Sequence, residues 1–471
     1  MKSSSSKTIN LDKGRPLIFK FGGTSLQTAE RIHKVVDIIA GFDQPLVVVI
    51  SAVGGVTDLL VQANADSASL HSKRDKIQRL HLQLAKELGL AGTSLADYGT
   101  HLNETLADLS AEGSSRDGKT RDLILSTGER LSTQLVAQVL EARGVGCEYI
   151  DSRPLIRTDS NWQEARVDLA TTEDLTRKAL APLIEKGVIP IVTGFLGSNE
   201  KGETTTIGRN GSDLTATLLG ACLDAAEVWI WTDVDGIFTA DPRYHSEARL
   251  LPEISFREAA EAAYFGAAVI HPYTLWPLVK TDVAVRIKNT LNPEQPGTLI
   301  CSEPKRRGKI LITTSIEGVS VITVGGYGMV GVPGIAARIF AAVREEETSV
   351  LMISQSSAEH NITFIIRDQE VPQTVASLQN ALADWIERDH RIDRIRVVPD
   401  VAIITVVGEN MRGRYGIAGK IFTALGRNKI NVIAIAQGSS EYSISMVLKV
   451  EDMRRAVDAI HAELDEENGG I

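Results

Sequence analysis

LIFKFGGTS, residues 17–25, is an apolar run broken by Lys20 that empties into two glycines and two hydroxyls. A run this apolar reads as a strand buried on both faces, the kind found in parallel sheets. Gly22 and Gly23 then let the chain turn tightly and bring backbone N–H groups close to an oxyanion. Thr24 and Ser25 add hydroxyl donors, and Lys20 supplies a fixed positive charge. This is phosphate chemistry without a Walker loop, because LIFKFGGTS does not spell G-x-x-x-x-G-K-[ST]. Taken alone, an ordinary strand-to-helix turn explains Lys-x-Gly-Gly equally well, so the decision falls to the rest of the sequence.

Runs of the same character recur: PLVVVISAV at 45–53, VIPIVTGFLG at 188–197, AEVWIWTDV at 226–234 and VAVRIKN at 283–289, with helical stretches between them. Strands apolar throughout and alternating with helices predict an α/β domain over 17–303, its mainly parallel sheet covered by helices on both faces. The stretch from about 66 to 140 is charged and helical, as in RDKIQRLHLQLAKELG at 74–89, and reads as a helical insertion or lid.

The last third repeats itself. Residues 328–366 align without gaps on 410–448 at a constant offset of 82, matching Met329 with Met411, Gly334 with Gly416, Phe340 with Phe422, Gln355 with Gln437 and Glu359 with Glu441. So long a match in one register marks a tandem repeat. Each copy reads strand, helix, strand, strand, helix. The first closes with a strand at 394–399, whereas the second runs out after its helix. KILITTSI at 309–316, left over upstream, is expected to supply the missing strand, giving interlocked βαββαβ units over 319–400 and over 309–318 plus 401–471. Gly326, Gly328 and Gly331 spell G-x-G-x-x-G. The second copy has Gly408, Asn410 and Gly413 there, so the pattern belongs to the repeat rather than to a dinucleotide site.

Composition sets limits. A chain of 471 residues holds roughly three domains at about 150 residues each, and 43% hydrophobic with 23% charged residues describe an ordinary globular protein. A net charge of −10 argues against nucleic acid or an anionic membrane as partner, since both demand a basic face. Cys147, Cys222 and Cys301 are odd in number and far apart, which gives neither a disulfide framework nor a zinc site and fits a reducing compartment. Residues 1–16 are polar with no apolar signal core, and no long apolar run follows. The expectation is a flexible leader on a cytoplasmic protein.

Two further concentrations of small and polar residues follow strands. TGFLGSNEKGETTTIGRNGSD at 193–213 closes with Arg209, Gly211, Ser212 and Asp213. Asp213 either caps the next helix or orients the lysine and metal-bound phosphates, and Arg209 offers a planar fork for a carboxylate. WTDVDGIFTADPR at 231–243 carries Asp233, Asp235, Asp241 and Arg243 beyond a strand end, where open α/β sheets bind ligands. Three aspartates without His or Cys suit Mg²⁺ held through water and phosphate oxygens, and turn formation explains one or two of them as well. Phe238 offers a ring for a base. Glu129, in LSTGER at 125–130, begins a helical pattern, where it either favours the helix dipole or serves the site.

Together, KFGGTS, SAVGGVTDLL at 51–60, LSTGERLS, TGFLGS, TTTIGRNGSD, WTDVDGIFTADPR and FGAAVIHP at 265–272 resemble the aspartate kinases of the amino-acid kinase family, whose members end in paired ACT modules. The resemblance spans nearly the whole chain. It implies a three-layer sandwich with two ferredoxin-like ACT modules, and phosphoryl transfer from Mg-ATP to the side-chain carboxylate of L-aspartate, the committed step towards lysine, threonine, methionine and isoleucine. By resemblance Lys20, Gly22, Gly23 and Thr24 hold the transferring phosphate and Asp213 organises the site. Ser51, Thr57, Glu129, Gly194, Phe195, Arg209, Gly211 and Ser212 fix the amino acid, with Glu129 on its ammonium and Arg209 on its carboxylate. Thr232, Asp233, Phe238, Asp241 and Arg243 resemble the nucleotide positions. No protein ligand to the metal is implied: Mg²⁺ arrives with ATP.

The chain departs from the family at Ala268, where FGAKVLHP usually places a lysine facing the phosphates. Either Arg243 or Lys288 compensates, or the enzyme is slow; a catalytically impaired amino-acid sensor of the same fold is the alternative reading. A related kinase acting on acetylglutamate or uridylate explains neither the paired ACT modules nor the FGGTS and WTDVDG wording. ACT modules pair and bind small amino acids at their junction, which implies a homodimer or homotetramer. Gln355 and Gln437 resemble the glutamines that bind threonine in threonine-sensitive members. Lysine-sensitive members often have Asp where Leu351 stands, so threonine is the expected effector and lysine the second choice.

Overall fold

The computed structural model describes residues 14–65, 70–111, 117–266, 270–305, 311–355 and 360–465. The chain divides into two compact units, Met1–Ile237 with Leu250–Phe256 and Val269–Lys305, and Phe238–Arg249 with Arg257–Ala268 and Arg306–Ile471.

The first unit runs β1 (Leu17–Phe21), α1 (Ala29–Ala40), β2 (Leu46–Ile50), α2 (Val56–Ala65), α3 (Leu70–Glu87), α4 (Gly92–Ala111), α5 (Gly118–Ala142), β3 (Cys147–Ile150), α6 (Leu169–Glu185), β4 (Ile189–Thr193), β5 (Leu196–Ser198), β6 (Thr204–Thr206), α7 (Gly211–Cys222), β7 (Glu227–Thr232), β8 (Glu253–Ser255), β9 (Ala284–Asn289) and β10 (Thr298–Cys301). Eight of these strands form one sheet in the order β3-β4-β2-β1-β7-β9-β10-β8, parallel except where β10 runs against β9. The five apolar runs of the sequence are β1, β2, β4, β7 and β9. All five residues of β1 and of β2 are buried, as strands at the centre of a three-layer α/β fold must be. The predicted run at 188–197 is cut short by a turn at Phe195, whose φ of 73° diverts the chain into the separate β5-β6 hairpin.

Helix α1 shows how the layers close. Thr28 caps it by accepting from the Arg31 N–H, and Ile32, Val35, Val36 and Ile39 make its buried stripe against Phe19 and Trp229. Helix α5 belongs to the layer that covers the sheet, packing on β2, β3 and β4, rather than to an insertion. Its Ser and Thr residues read as surface, but two of the buried hydroxyls bond backbone carbonyls: Thr133 donates to the Glu129 carbonyl at 2.6 Å and Ser132 to the Ser51 carbonyl at 2.6 Å. Helices α3 and α4 in turn pack on α5.

The second unit takes in most of α8 (Phe256–Tyr264) and then β11 (Ile312–Gly325), α9 (Ile335–Glu345), β12 (Met352–Gln355), β13 (Asn361–Arg367), α10 (Val371–Glu387), β14 (Arg394–Val407), α11 (Ile417–Arg427), β15 (Ala434–Gln437), β16 (Ser443–Lys449) and α12 (Met453–Asp465). Its sheet is antiparallel, in the order β12-β13-β11-β14-β16-β15. β11 and β14 each serve both repeats. Val319–Gly325 pairs with β13, while Ile312–Ile316 lies beside 403–407 of β14, with Gly318 at φ 70° in the register shift between the two halves. The upstream segment thus borders the second copy's first strand. The copies match in backbone detail: Gly331 and Gly413 share a φ of 67°, and Gly334 and Gly416 stand at 89° and 90°. Gly326 and Gly328 of the G-x-G-x-x-G run serve packing, since a Cβ on them would come, respectively, 2.2 Å from the Arg391 carbonyl oxygen and 2.5 Å from its Cα, while Gly331 supplies the positive φ.

Segment 238–249 belongs to this unit because its side chains are tied there. Thr239 Oγ1 lies 2.9 Å from His461 Nε2, His245 Nδ1 lies 2.7 Å from Asp458 Oδ1, and the Tyr244 hydroxyl donates to Glu317 at 2.6 Å. Among the described residues, no helix is long and apolar enough to cross a membrane.

Candidate active site

At the carboxyl ends of the central strands of the first unit lies a cavity of about 430 Å³. Lys20, Ser51, Thr57, Glu129, Phe195, Arg209, Gly211, Ser212 and Asp213 all line it, so the fold gathers residues from β1, the β2–α2 turn, α5, the turn after β4 and the start of α7. Parallel topology is the cause: every one of those strands delivers its following loop to the same edge of the sheet.

Lys20 points from β1 to the first turn of α7, where its Nζ lies 2.6 Å from Asp213 Oδ1 with both side chains 10% exposed. The contact is a charge pair without the alignment of a hydrogen bond, which leaves the ammonium's donors for an incoming oxyanion. Glu129 is buried on α5, its Oε2 has no hydrogen-bond partner, and burial pushes its carboxyl up to about 8 against the weaker pull of the Ala52 N–H and Lys20. A carboxyl raised to about 8 is largely protonated at neutral pH and ionises when a cation is brought beside it. Arg209 is exposed on the loop before α7. Two glycines are required by crowding: a Cβ on Gly194 would come 2.6 Å from Ser212 Cβ, and one on Gly211 2.5 Å from Phe195 Cδ2.

The turn after β1 differs in part from its sequence reading. Gly22 has an ordinary extended backbone, φ −77°, so it serves by leaving room, a Cβ there standing 3.3 Å from Lys20 Nζ. The Ser25 hydroxyl is not a free donor: it is buried and bonded to Thr290 Oγ1 at 2.8 Å. Thr24 is exposed and neither it nor the two glycines lines the cavity.

The expected nucleotide residues divide between the units. Thr232 and Asp233 end β7 in the first, the Thr232 hydroxyl donating to Asp233 at 3.2 Å. Phe238, Asp241 and Arg243 belong to the second, where the exposed Arg243 donates to both oxygens of Asp241 through Nε and Nη2 and holds that carboxyl below its usual range. Lys288, offered as a compensating cation, does not line the Lys20 cavity. It lines another cavity, with Trp229 and Trp231, where its Nζ donates to the Pro293 and Gln295 carbonyls and burial lowers it to about 8. Ala268 lies outside the described residues. Gln355 and Gln437 end the edge strands β12 and β15, both exposed.

The sequence reading missed a second rank of residues. Arg121 and Leu125 line the cavity from α5, and Gln163 and Glu164 from the loop before α6. Beside them Asp122 is fully buried, accepting from the N–H groups of Gln163 and Thr206 at 3.0 and 2.8 Å and from the Thr206 hydroxyl at 2.9 Å. The four-residue spacing of 121, 125 and 129 was the available signal.

Comparison with known proteins agrees with this geometry. The model of the amino acid kinase family matches residues 15–289, and that of the ACT domain matches 322–382 and 404–464. The chain is 35% identical to the chloroplastic bifunctional aspartokinase/homoserine dehydrogenase 1 of Zea mays over 94% of its own length and 50% of that protein's. It spans about half the length of such bifunctional relatives. It is 32% identical to the chloroplastic aspartokinase 1 of Arabidopsis thaliana, covering 96% of this chain and 80% of that one. Among solved structures it resembles E. coli aspartokinase III in complex with aspartate and ADP, at 30% identity and a TM-score of 0.77 over 95% of this chain and 99% of that one. The same enzyme in complex with lysine and aspartate gives 29% and 0.82 over the same shares. The chain belongs to the amino acid kinase family, among the aspartokinases that carry ACT domains.

Proposed function

We propose that this chain is an ATP-dependent aspartate kinase, transferring the γ-phosphoryl group to the side-chain carboxylate of L-aspartate to give 4-phospho-L-aspartate and ADP. The observation that carries the reading is the convergence of the Lys20–Asp213 pair, Glu129 and Arg209 on one cavity. Lys20 and the turn at Gly22, Gly23 and Thr24 receive the phosphoryl group, and Asp213 holds the Lys20 ammonium in place. Glu129 takes the substrate ammonium and Arg209 a carboxylate, with Ser51, Thr57, Gly194, Phe195, Gly211 and Ser212 shaping the rest. Thr232, Asp233, Phe238, Asp241 and Arg243 serve the nucleotide. A carboxylate with an ordinary pKa of about 3.9 is already ionised at neutral pH, so positioning and charge stabilisation suffice without a general base. Mg²⁺ bound to ATP would neutralise the phosphate oxygens. Among the described residues no group of three or more His, Cys, Asp or Glu is gathered for a metal.

The two repeats, 319–400 and 309–318 plus 401–471, act as ACT modules for feedback inhibition. Threonine is the proposed effector, at Gln355 and Gln437. Lysine is the alternative, on the strength of the E. coli relative crystallised with it. Ile353 and Ile435, 50% and 45% exposed on the same edge strands, support assembly of a homodimer or homotetramer through this face. The deciding experiment supplies purified protein with Mg-ATP and aspartate and traps the acyl phosphate with hydroxylamine. Hydroxamate formation with aspartate, and none with glutamate, supports the reading; amino-acid binding without any hydroxamate returns the impaired-sensor alternative.

A further inference from the structure

We propose that Arg121 is a substrate-binding residue of the same cavity, its guanidinium holding a non-attacking carboxylate oxygen of a dicarboxylic amino acid. The inference rests on the kinase reading above and specifies how its acid acceptor is chosen.

Arg121, Leu125 and Glu129 recur every four residues on α5, so one face of that helix presents all three to the cavity. Asp122 fixes the helix there, because its three accepted hydrogen bonds tie α5 to β6 and to the loop at Gln163. In this setting the Arg121 Nε–H is out of contact with solvent and meets no acceptor. An unmatched buried donor is costly, and a guanidinium cannot relieve the cost by releasing its proton, as the Glu129 carboxyl relieves its own burial by staying protonated. The donor therefore calls for an acceptor that comes with the ligand, and the planar fork matches a carboxylate. Asp122 is committed elsewhere, and Glu164, which also lines the cavity, does not accept from Nε. Arg209 supplies a second guanidinium. Two forks in one cavity suit an acid with two carboxylates, and Glu129 beside them suits its ammonium.

The test measures initial rates of full-length wild type, Arg121→Gln and Arg121→Lys with aspartate varied at saturating Mg-ATP, by hydroxamate yield and ADP release. Loss of one charge-assisted hydrogen bond predicts a KM for aspartate raised about 10- to 100-fold in Arg121→Gln, with kcat within about threefold and the KM for ATP unchanged. Arg121→Lys, which keeps the charge but not the fork, falls between. A role confined to packing would instead lower the unfolding midpoint and leave the KM for aspartate where it was, and that outcome overturns the proposal. Should Arg121→Gln not fold, a wild-type KM in Arg121→Lys overturns it equally. If wild type forms no hydroxamate, the kinase reading fails by itself. Calorimetric titration of aspartate into wild type and variants then decides the Arg121 inference, weakened binding supporting it and equal or absent binding in all of them overturning it.

Discussion

Lys20 and Asp213 stand 193 residues apart in the chain and 2.6 Å apart in the fold, each with only 10% of its side chain exposed. A pair so little hydrated is held by its mutual charge, and removing one partner strands the other. Lys20→Met should therefore destabilise the protein by about 3–5 kcal/mol, and Lys20→Met with Asp213→Leu should recover much of that, measured by urea unfolding. Both proteins should lose at least about a hundredfold in kcat, because the charge facing the phosphoryl group is gone. A single variant with unaltered turnover would contradict the role given to Lys20.

Glu129 gives a pH signature. Its folded-state pKa, about 8, lies above an ordinary 4.5, so the folded protein binds more protons than the unfolded chain between those values. Stability contributed by the neutral carboxyl is fully present below pH 4.5 and falls as pH rises towards 8, by about 1.4 kcal/mol per unit at most. Glu129→Gln should remove that slope, seen as a gain in stability relative to wild type that grows from pH 5 to pH 8. The same ionisation should make kcat/KM for aspartate rise with pH up to about 8 in wild type, and flatten in the variant, whose KM rises throughout.

Gly194→Ala tests the junction between β4 and α7. The new methyl would sit 2.6 Å from Ser212 Cβ, a contact that only backbone movement can relieve. A loss of about 1–3 kcal/mol and a raised KM for aspartate are expected. Gly146→Ala, where nothing lies within 4 Å, is the control and should leave both unchanged.

Ala268→Lys supplies the cation that the family resemblance leads us to expect before the nucleotide phosphates. Turnover should rise by about a hundredfold, the scale of a single electrostatic stabiliser. No gain would mean that the deficit inferred from this position is absent.

Threonine should inhibit, and Gln355→Ala with Gln437→Ala should raise its half-inhibitory concentration at least tenfold, about 1.4 kcal/mol of binding. Initial rates with threonine and lysine titrated separately check the effector. If neither changes the rate, the coupling proposed for the repeats does not exist.

Much of this architecture was legible before folding because burial leaves a local mark. Strands covered on both faces are apolar at most positions, without strict alternation, and β1, β2, β4, β7 and β9 stood out on that ground. The repeat was legible from one register of identities, and its glycines keep the same backbone angles in both copies. What escaped was structure whose cause is not local. β3, with its half-buried pattern, β8 and β10, of only three and four residues, and the β5-β6 hairpin carry too little periodicity to announce themselves. Helix α5 read as an insertion because Ser, Thr, Arg and Glu fill it; Ser132, Thr133 and Asp122 are buried there with partners that lie in the backbone or on distant segments, which no local pattern shows.

By itself the sequence determined a parallel α/β unit, a doubled βαββαβ unit and the residue types that a phosphoryl donor and an amino acid would need, because hydrophobic period, glycine placement and repeat register are properties of neighbours in the chain. Only the tertiary structure decided which of those residues share a cavity. It set Lys20 on Asp213, left Glu129 neutral and Arg121 unmatched, turned Ser25 towards Thr290, and placed Lys288 in a different pocket. Distance, desolvation and competition for hydrogen-bond partners arise between segments far apart in the chain, and no window of sequence contains them.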